Sequence, residues 1–457
     1  MERYEAYKDS GVEWIGCLPV TWSINKLGNL GRYINGYAFK PDQWGDAGLP
    51  IIRIQDLTGS NDSPNYYEGE IDSKYLVEYG DLLVSWAATI GVYWWKHDRG
   101  WLNQHIFRVL PYEGSCDKRF FYWMLDAAID ALNHENKHGI MMEHLTLAVF
   151  NAFRVPLPPL LEQVAIANYL DAKTAEIDAL VADCEREAEL LQEYRKAVIS
   201  EAVTKGLDPD VPMKDSGVEW IGEIPETWTT NKLRYCGVTQ NGISKGGEYF
   251  GTGYPFVSYG NVYRNELNKP ESLGFIESTE DERARYGVKR GDILFTRTSE
   301  TIDEVGIAAG ALNDISDCCF AGFLIRFRPN KDWGILPEFA AYYFRSDLYR
   351  SYLTKEMVLV TRASMSQQLL GGITVLIPPK HAQEDIVRYL DVKTTEIDSL
   401  IDAKQSMADK LREYRRSLIS EVVTGKFRIQ KEKSKKCPFS QNDMGTERFV
   451  THCNSNA

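Results

Sequence analysis

Acidic and basic side chains at short spacing are the first candidates for chemistry in this chain. Pro41-Asp42 followed by Asp72-Ser73-Lys74 can be written as a nuclease-like PD…DxK pattern. In such a site two carboxylates hold Mg²⁺ and the lysine stands near the scissile phosphate. The same DxK spacing recurs at Asp171-Ala172-Lys173 and Asp402-Ala403-Lys404, both within helical stretches, so it is a pattern that a chain rich in acids and lysines produces by chance. Other catalytic signatures are absent. The Pro-Pro pairs at 158–159 and 378–379 are followed by Leu160 and Lys380, not by the Tyr or Phe of an amino-methyltransferase motif. No GxxxxGK(S/T) phosphate loop occurs. The eight cysteines include no C-x-x-C pair. That argues against a disulfide framework or a structural zinc site and fits a cytoplasmic setting.

The elements that position these residues must come from a large chain. Its 457 residues imply about two to four domains. Apolar content of 44% and charged content of 26% are those of a soluble globular protein. No apolar run approaches the roughly 20 residues that span a bilayer, and Met1-Glu2-Arg3-Tyr4-Glu5 does not read as a signal peptide. The net charge of −13 opposes duplex DNA unless basic groups are gathered on one face.

An internal repeat organises the chain. KDSGVEWIG at 8–16 returns unchanged at 214–222, and fifteen of the twenty positions in 8–27 are identical in 214–233. Further on, PPLLEQVAIANYLDAKTAEIDAL (158–180) matches PPKHAQEDIVRYLDVKTTEIDSL (378–400), and EYRKAVISEAVT (193–204) matches EYRRSLISEVVT (413–424). The expected organisation is a leader (1–27), a variable body (28–154) and a helix (155–205). A linker with the second leader (206–233), a second body (234–374), a second helix (375–425) and a polar tail (426–457) follow. The tail carries Lys431, Lys433, Lys435 and Lys436 and reads as disordered.

Proline sits before each tail helix and no glycine or proline follows until Gly206 or Gly425. A 3,4 spacing picks out Leu170, Ile177, Val181, Leu191 and Val198 in one helix, and Leu390, Ile397, Ile401, Leu411 and Leu418 in the other. This is a heptad seam, and pseudo-two-fold symmetry pairs the helices as an antiparallel coiled coil. The same symmetry brings the leader at 8–16 to the end of the second helix, with Trp14 and Trp220 docking beside helix ends. The bodies read as mixed α/β modules, giving an α+β class overall. Ile51–Ile54, Phe256–Tyr259, Asp81–Ser85 and Asp292–Thr296 read as strands, and 118–132 and 337–353 as helices.

A KDSGxxWIGxIPxxW leader, a variable body and a PLPP…EQ…YLD…T…ID helix, all duplicated over about 8–424, resemble the specificity subunits of type I restriction-modification systems. The resemblance implies that each body is a target-recognition domain for one half of a bipartite double-stranded DNA site. It implies that the helices act as a ruler and as the platform for two methyltransferase subunits using S-adenosylmethionine. It also implies restriction/translocase subunits that supply ATP- and Mg²⁺-dependent cleavage. The chain itself is expected to catalyse nothing, to need no cofactor or metal, and to contact no membrane. The competing readings are a metal-dependent nuclease using Asp72 and Lys74, and a scaffold that binds proteins instead of DNA.

Base reading needs side chains with paired donors and acceptors on loops or strand ends. Aligning the bodies keeps apolar positions apolar while polar ones change: Arg53 to Ser258, Gln55 to Gly260, Trp86 to Arg297. The candidates are Arg53, Gln55, Ser85, Asn103, Gln104 and His105 in body one, and Ser258, Asn261, Arg297, Thr298, Ser299 and Arg362 in body two. His105 is not read as a metal ligand, and Trp86, Trp94 and Trp95 read as core. Body one has 11 Lys/Arg against 16 Asp/Glu and body two 16 against 17, so any basic surface is local and binding by the chain alone is expected to be weak.

Overall fold

In the computed structural model, which describes residues 2–60, 63–87, 89–136, 147–299, 301, 304–356 and 363–429, the repeated nonapeptide forms the turn of a hairpin. Tyr7–Asp9 pairs antiparallel with Cys17–Pro19, and Met213–Asp215 with Glu223–Pro225. The Asp9 carboxylate accepts the Gly11 N–H at 2.9 Å, and Asp215 accepts that of Gly217 at 2.9 Å. Gly11 and Gly16 (φ +64° and +60°), like Gly217 and Gly222 (+72° and +71°), occupy the left-handed region, which explains glycine at both positions.

The chain divides into two units, Met1–Val181 with Asp409–Ala457, and Ala182–Ala408. In the first, Ser23–Lys26 pairs antiparallel with Arg154–Leu157, so the strand entering body one is tied to the strand leaving it. The second repeats this with Thr229–Lys232 and Thr374–Ile377. Body one holds an antiparallel sheet in the order Gly31–Asn35, Ile106–Pro111, Leu82–Ser85, Gly91–Trp94. Its other sheet runs Tyr66–Tyr67, Leu49–Ile52, Gly100–Leu102, Leu76–Val77, with the middle two strands parallel. Body two repeats the first order with Gly237–Asn241, Leu324–Pro329, Ile293–Thr296 and Ala308–Gly310. Its second sheet runs Gly274–Ile276, Phe250–Val257, Cys319–Phe320, again with a parallel pair. The two bodies therefore share the strand order of the first sheet and a parallel pair in the second, which has four strands in body one and three in body two.

The long helices are Leu160–Lys205 and Lys380–Val423. In the first unit Leu170 and Ile177 are buried in one core with Leu418, Ile419 and Val422, against which Val181 and Leu411 are half-buried. Asp178 pairs with Arg415 at 2.8 Å. In the second unit Ala188 packs with Ile397, Ile401 and the partly buried Leu191, while Val198 shares a core with Leu390. Asp398 pairs with Arg195 at 2.7 Å and Glu187 with Lys404. Rising numbers on one helix meet falling numbers on the other, so the pairing is antiparallel. The polar seam residues Thr174 and Thr394 are satisfied by their own helices, bonding Leu170 O (2.6 Å) and Leu390 O (2.7 Å).

The leader of the first unit meets the end of the second helix. Lys426 Nζ donates to Ile15 O (2.8 Å) and Cys17 O (2.6 Å), just after Gly425. Trp22 Nε1–H and Tyr4 O–H both donate to Glu162 Oε2 at 2.9 Å. Trp14 stacks on Phe153 (5.7 Å, 18°) and Trp220 on Tyr352 (5.1 Å, 23°), so both tryptophans seat on their bodies.

Three readings need correction. The strands at 51–54 and 256–259 stop at Ile52 and Val257, and Arg53 and Ser258 cap the short helices Ile54–Thr58 and Tyr259–Tyr263. The cause is local: Asp56 accepts the Arg53 N–H (2.7 Å) and Asn261 the Ser258 N–H (2.9 Å), as in a capping box. The helix expected over 337–353 is two, Pro337–Tyr343 and Asp347–Glu356. No described helix is long and apolar enough to cross a membrane. The tail from 430 onward, with its four lysines, lies outside the described residues.

Candidate nucleic-acid interface

In each body the parallel strand pair delivers its C-terminal ends to one edge. Leu49–Ile52 runs into Arg53, and Gly100–Leu102 into the turn Asn103-Gln104-His105. The segment Asn35-Gly36-Tyr37 crosses this edge. Tyr37 N–H donates to Leu102 O (2.8 Å) and Gly36 N–H to Ile106 O (3.1 Å). The approach is so close that a Cβ on Gly36 would lie 2.0 Å from Asn103 O. Body two is built alike: Ile243 N–H donates to Phe320 O (2.9 Å), Gly242 N–H to Leu324 O (3.3 Å), and a Cβ on Gly242 would lie 2.1 Å from Ala321 O. Gly36 and Gly242, each preceded by an asparagine, are thus points of close backbone approach.

Around this edge Arg53 holds its guanidinium 5.0 Å over the Trp44 ring, and Gln55 is exposed on the following helix. Asn103 is buried, while Gln104 and His105 are half-buried with Gln104 Nε2 3.3 Å from His105 Nε2. His105 Nδ1 is buried without a hydrogen-bond partner among the described residues. Trp86 is half-buried between His105 (5.3 Å) and Phe107 (5.8 Å); Trp95 is core and Trp94 stacks on Tyr122 (5.5 Å). In body two Ser258 caps its helix, Arg297 is half-buried, Thr298 Oγ1 lies 3.4 Å from Ser364 Oγ, and Ser299 bonds Glu304.

Two candidates turn out to be scaffold. Ser85 is fully buried and its hydroxyl donates to Thr89 O at 2.5 Å. Asn261 is 1% exposed, accepts from Ser258, and donates through Nδ2 to Ser272 O at 2.9 Å. Polar groups satisfied in the interior have nothing left for a base edge. Arg362 lies outside the described residues. Sequence reasoning overlooked Phe323, 62% exposed in the turn equivalent to 103–105. Counting back from the matching strands Ile106–Pro111 and Leu324–Pro329 would have found it.

The turns Gly80-Asp81 and Gly291-Asp292, which precede Leu82–Ser85 and Ile293–Thr296, also have a structural basis. Asp81 pairs with Arg108 at 2.8 Å, and the buried Asp292 with Arg328 at 2.6 Å, beside Arg326 at 4.0 Å. Burial pulls the Arg326 pKa down, the Arg328 charge adds to the effect, and Asp292 opposes it. The nuclease candidates Asp72 and Lys74 are engaged with each other. Asp72 caps its own turn, accepting Lys74 N–H at 2.9 Å, and pairs with Lys74 at 3.0 Å. The backbone N–H and then the ammonium of Lys74 hold its carboxyl below the usual range. Among the described residues no group of three or more His, Cys, Asp or Glu could hold a metal ion.

Comparison with known proteins identifies the family. Residues 19–189 and 236–405 each match the type I restriction modification DNA specificity domain. The chain is 26% identical over 420 residues to the type I restriction enzyme EcoBI specificity subunit of Escherichia coli, covering 90% of this chain and 87% of that one. It is 24% identical over 448 residues to the EcoKI specificity subunit of Escherichia coli strain K12, covering 91% of each. A solved chain from work on "complex assembly and conformational transition of the type I R-M system" superposes with a TM-score of 0.67 at 16% identity, covering 90% of this chain and 99% of that one.

Proposed function

The chain belongs to the type I restriction-modification DNA specificity family, and from that premise we propose that each body reads one half of a bipartite, asymmetric site in double-stranded DNA. It is a specificity subunit and not a catalytic one. Bodies 28–154 and 234–374 are the target-recognition domains, and the paired helices set the distance between the half-sites. The observation that carries this reading is one strand order and one parallel pair used twice with different side chains on the same edge: Arg53, Gln104 and His105 in one body, Ser258, Gly322 and Phe323 in the other. A shared scaffold with exchanged reading residues is what two different half-sites require.

The helices also dock two methyltransferase subunits, which bind S-adenosylmethionine, and the complex recruits restriction/translocase subunits that use ATP and Mg²⁺. Solvent-facing identities across the duplication support two equal docking places. Lys173, Glu176 and Leu180 recur as Lys393, Glu396 and Leu400, Glu193-Tyr194 recurs as Glu413-Tyr414, and the half-buried Tyr169 recurs as the exposed Tyr389. Tyr194, Tyr389 and Tyr414 are 49%, 40% and 52% exposed, far from any core role. Between these ends, 182–192 and 402–412 share only the seam residues Ala188/Ala408 and Leu191/Leu411. Surface that does no common work has diverged. The partners supply much of the DNA affinity, because neither body carries a net positive charge.

Exchanging body one for that of a relative with a different target tests the proposal. One half of the methylated site changes and the other stays; an unchanged methylation pattern rejects it.

A further inference from the structure

We propose that Phe323, with Arg297 beside it, determines specificity in body two by placing its ring against a thymine methyl group at a base edge of the half-site. The inference rests on the DNA-reading function above and adds a residue and a base chemistry to it.

The turn that carries Phe323 is held like its counterpart in body one. Arg297 N–H donates to Phe323 O at 2.9 Å, where Trp86 N–H donates to His105 O at 3.2 Å. Leu324 N–H closes the turn on Ala321 O at 3.0 Å, where Ile106 N–H closes on Asn103 O at 3.1 Å. Isolated bridges join Ile243 to Ala321 and Tyr37 to Asn103. The backbone is therefore one device used twice.

The side chains on it differ in chemistry. In body one the Trp86 ring lies 5.3 Å from His105 and its indole N–H bonds Asn35 Oδ1 at 3.2 Å, so the tip is polar and partly covered. In body two Arg297 replaces Trp86 and Gly322 replaces Gln104, while Asn241 Oδ1 instead accepts from Gln367 Nε2 at 3.0 Å. Gly322 is itself constrained, since a Cβ there would lie 2.3 Å from Ser244 Oγ. With glycine at 322 and the Ala321 methyl buried, Phe323 stands 62% exposed. A lone exposed apolar residue needs no explanation in general. This one occupies the position where the sister body holds an imidazole, on a turn fixed by close backbone contacts. An aromatic edge matches the thymine C5-methyl, and a guanidinium matches guanine or phosphate oxygens.

The test uses the complete complex with its methyltransferase partners. Its site is first read from the methylome, and binding is then measured on duplexes in which each thymine of the site is replaced by uracil, removing only the methyl. For the wild type, one uracil in the half-site read by body two weakens binding about three- to tenfold. Phe323→Ala abolishes that sensitivity, leaves every position of the other half-site unchanged, and melts at the wild-type temperature. Phe323→Leu, still apolar, retains part of it. No uracil-sensitive position in that half-site, or a sensitivity that survives in Phe323→Ala, overturns the proposal while leaving the bipartite reading intact. A methylome without a bipartite site overturns both.

Discussion

Replacing Gly36 or Gly242 with alanine separates the two bodies most cleanly. The added Cβ of Gly36→Ala would lie 2.0 Å from Asn103 O and 2.6 Å from Leu102 O. An ordinary carbon–oxygen contact is about 3.3 Å, so the turn and the crossing segment must part by more than about 1 Å. Both sides are backbone, and no rotamer change relieves the clash. The separation stretches the 2.8 Å bond from Tyr37 N–H to Leu102 O and the 3.1 Å bond from Gly36 N–H to Ile106 O beyond hydrogen-bond range. Two lost backbone bonds at about 1 kcal/mol each, with one buried group left unsatisfied, give roughly 3–4 kcal/mol. That is enough to displace Gln104 and His105 without unfolding a body whose sheets remain paired. In a competition assay on single-base-pair variants, Gly36→Ala loses about ten- to a hundredfold discrimination at the half-site of body one and none at the other. Gly242→Ala, with its Cβ 2.1 Å from Ala321 O, does the reverse. Gly247→Ala, which meets nothing within 4 Å, is the neutral control. Equal loss at both half-sites, or none at either, refutes the reasoning.

Two further perturbations address stability and spacing. Burial raises the Asp126 carboxyl to about 6, opposed by Arg415 and reinforced by Asp130. The native state thus holds this proton more tightly than the unfolded chain. Its ionisation penalty is absent below about pH 4, grows between pH 4 and 6, and is complete above. Asp126→Asn therefore melts higher than wild type at pH 7.5, by roughly 2–3 kcal/mol, with the gain gone by pH 4; a variant less stable at pH 7.5 contradicts this. Seven residues inserted within Val181–Leu191, matched by seven within Ile401–Leu411, lengthen each helix by about 10 Å, close to three base pairs. The untouched spacer between half-sites lengthens to match, and an active variant with an unaltered spacer rejects the ruler.

The repeat, the seam and the antiparallel pairing were legible because they are periodic. Leu170, Ile177, Leu390 and Leu418 fall on the predicted stripe and are buried. The meeting of the first leader with Lys426 followed from symmetry alone. Strand ends were not legible at Ile52 and Val257, where apolar periodicity continues but Asp56 and Asn261 reach back to start a helix. Polarity misled at the site. Ser85 and Asn261 look like reading heads in sequence, yet tertiary partners such as Thr89 O and Ser272 O consume their hydrogen bonds. Phe323 drew no notice for the opposite reason, since an apolar residue before a strand resembles core until its exposure is seen. The charge of −13 gave no sign of where cations gather, because ion pairs such as Arg328–Asp292 take several out of play.

The central claim, two different reading heads on one frame, is tested most directly by the methylome of cells carrying this chain with its methyltransferase partner. The account predicts methylated adenines in a single asymmetric motif of two short half-sites separated by an unread spacer of fixed length. Methylation in a continuous motif, in a palindrome of two identical halves, or nowhere that depends on this chain would contradict it.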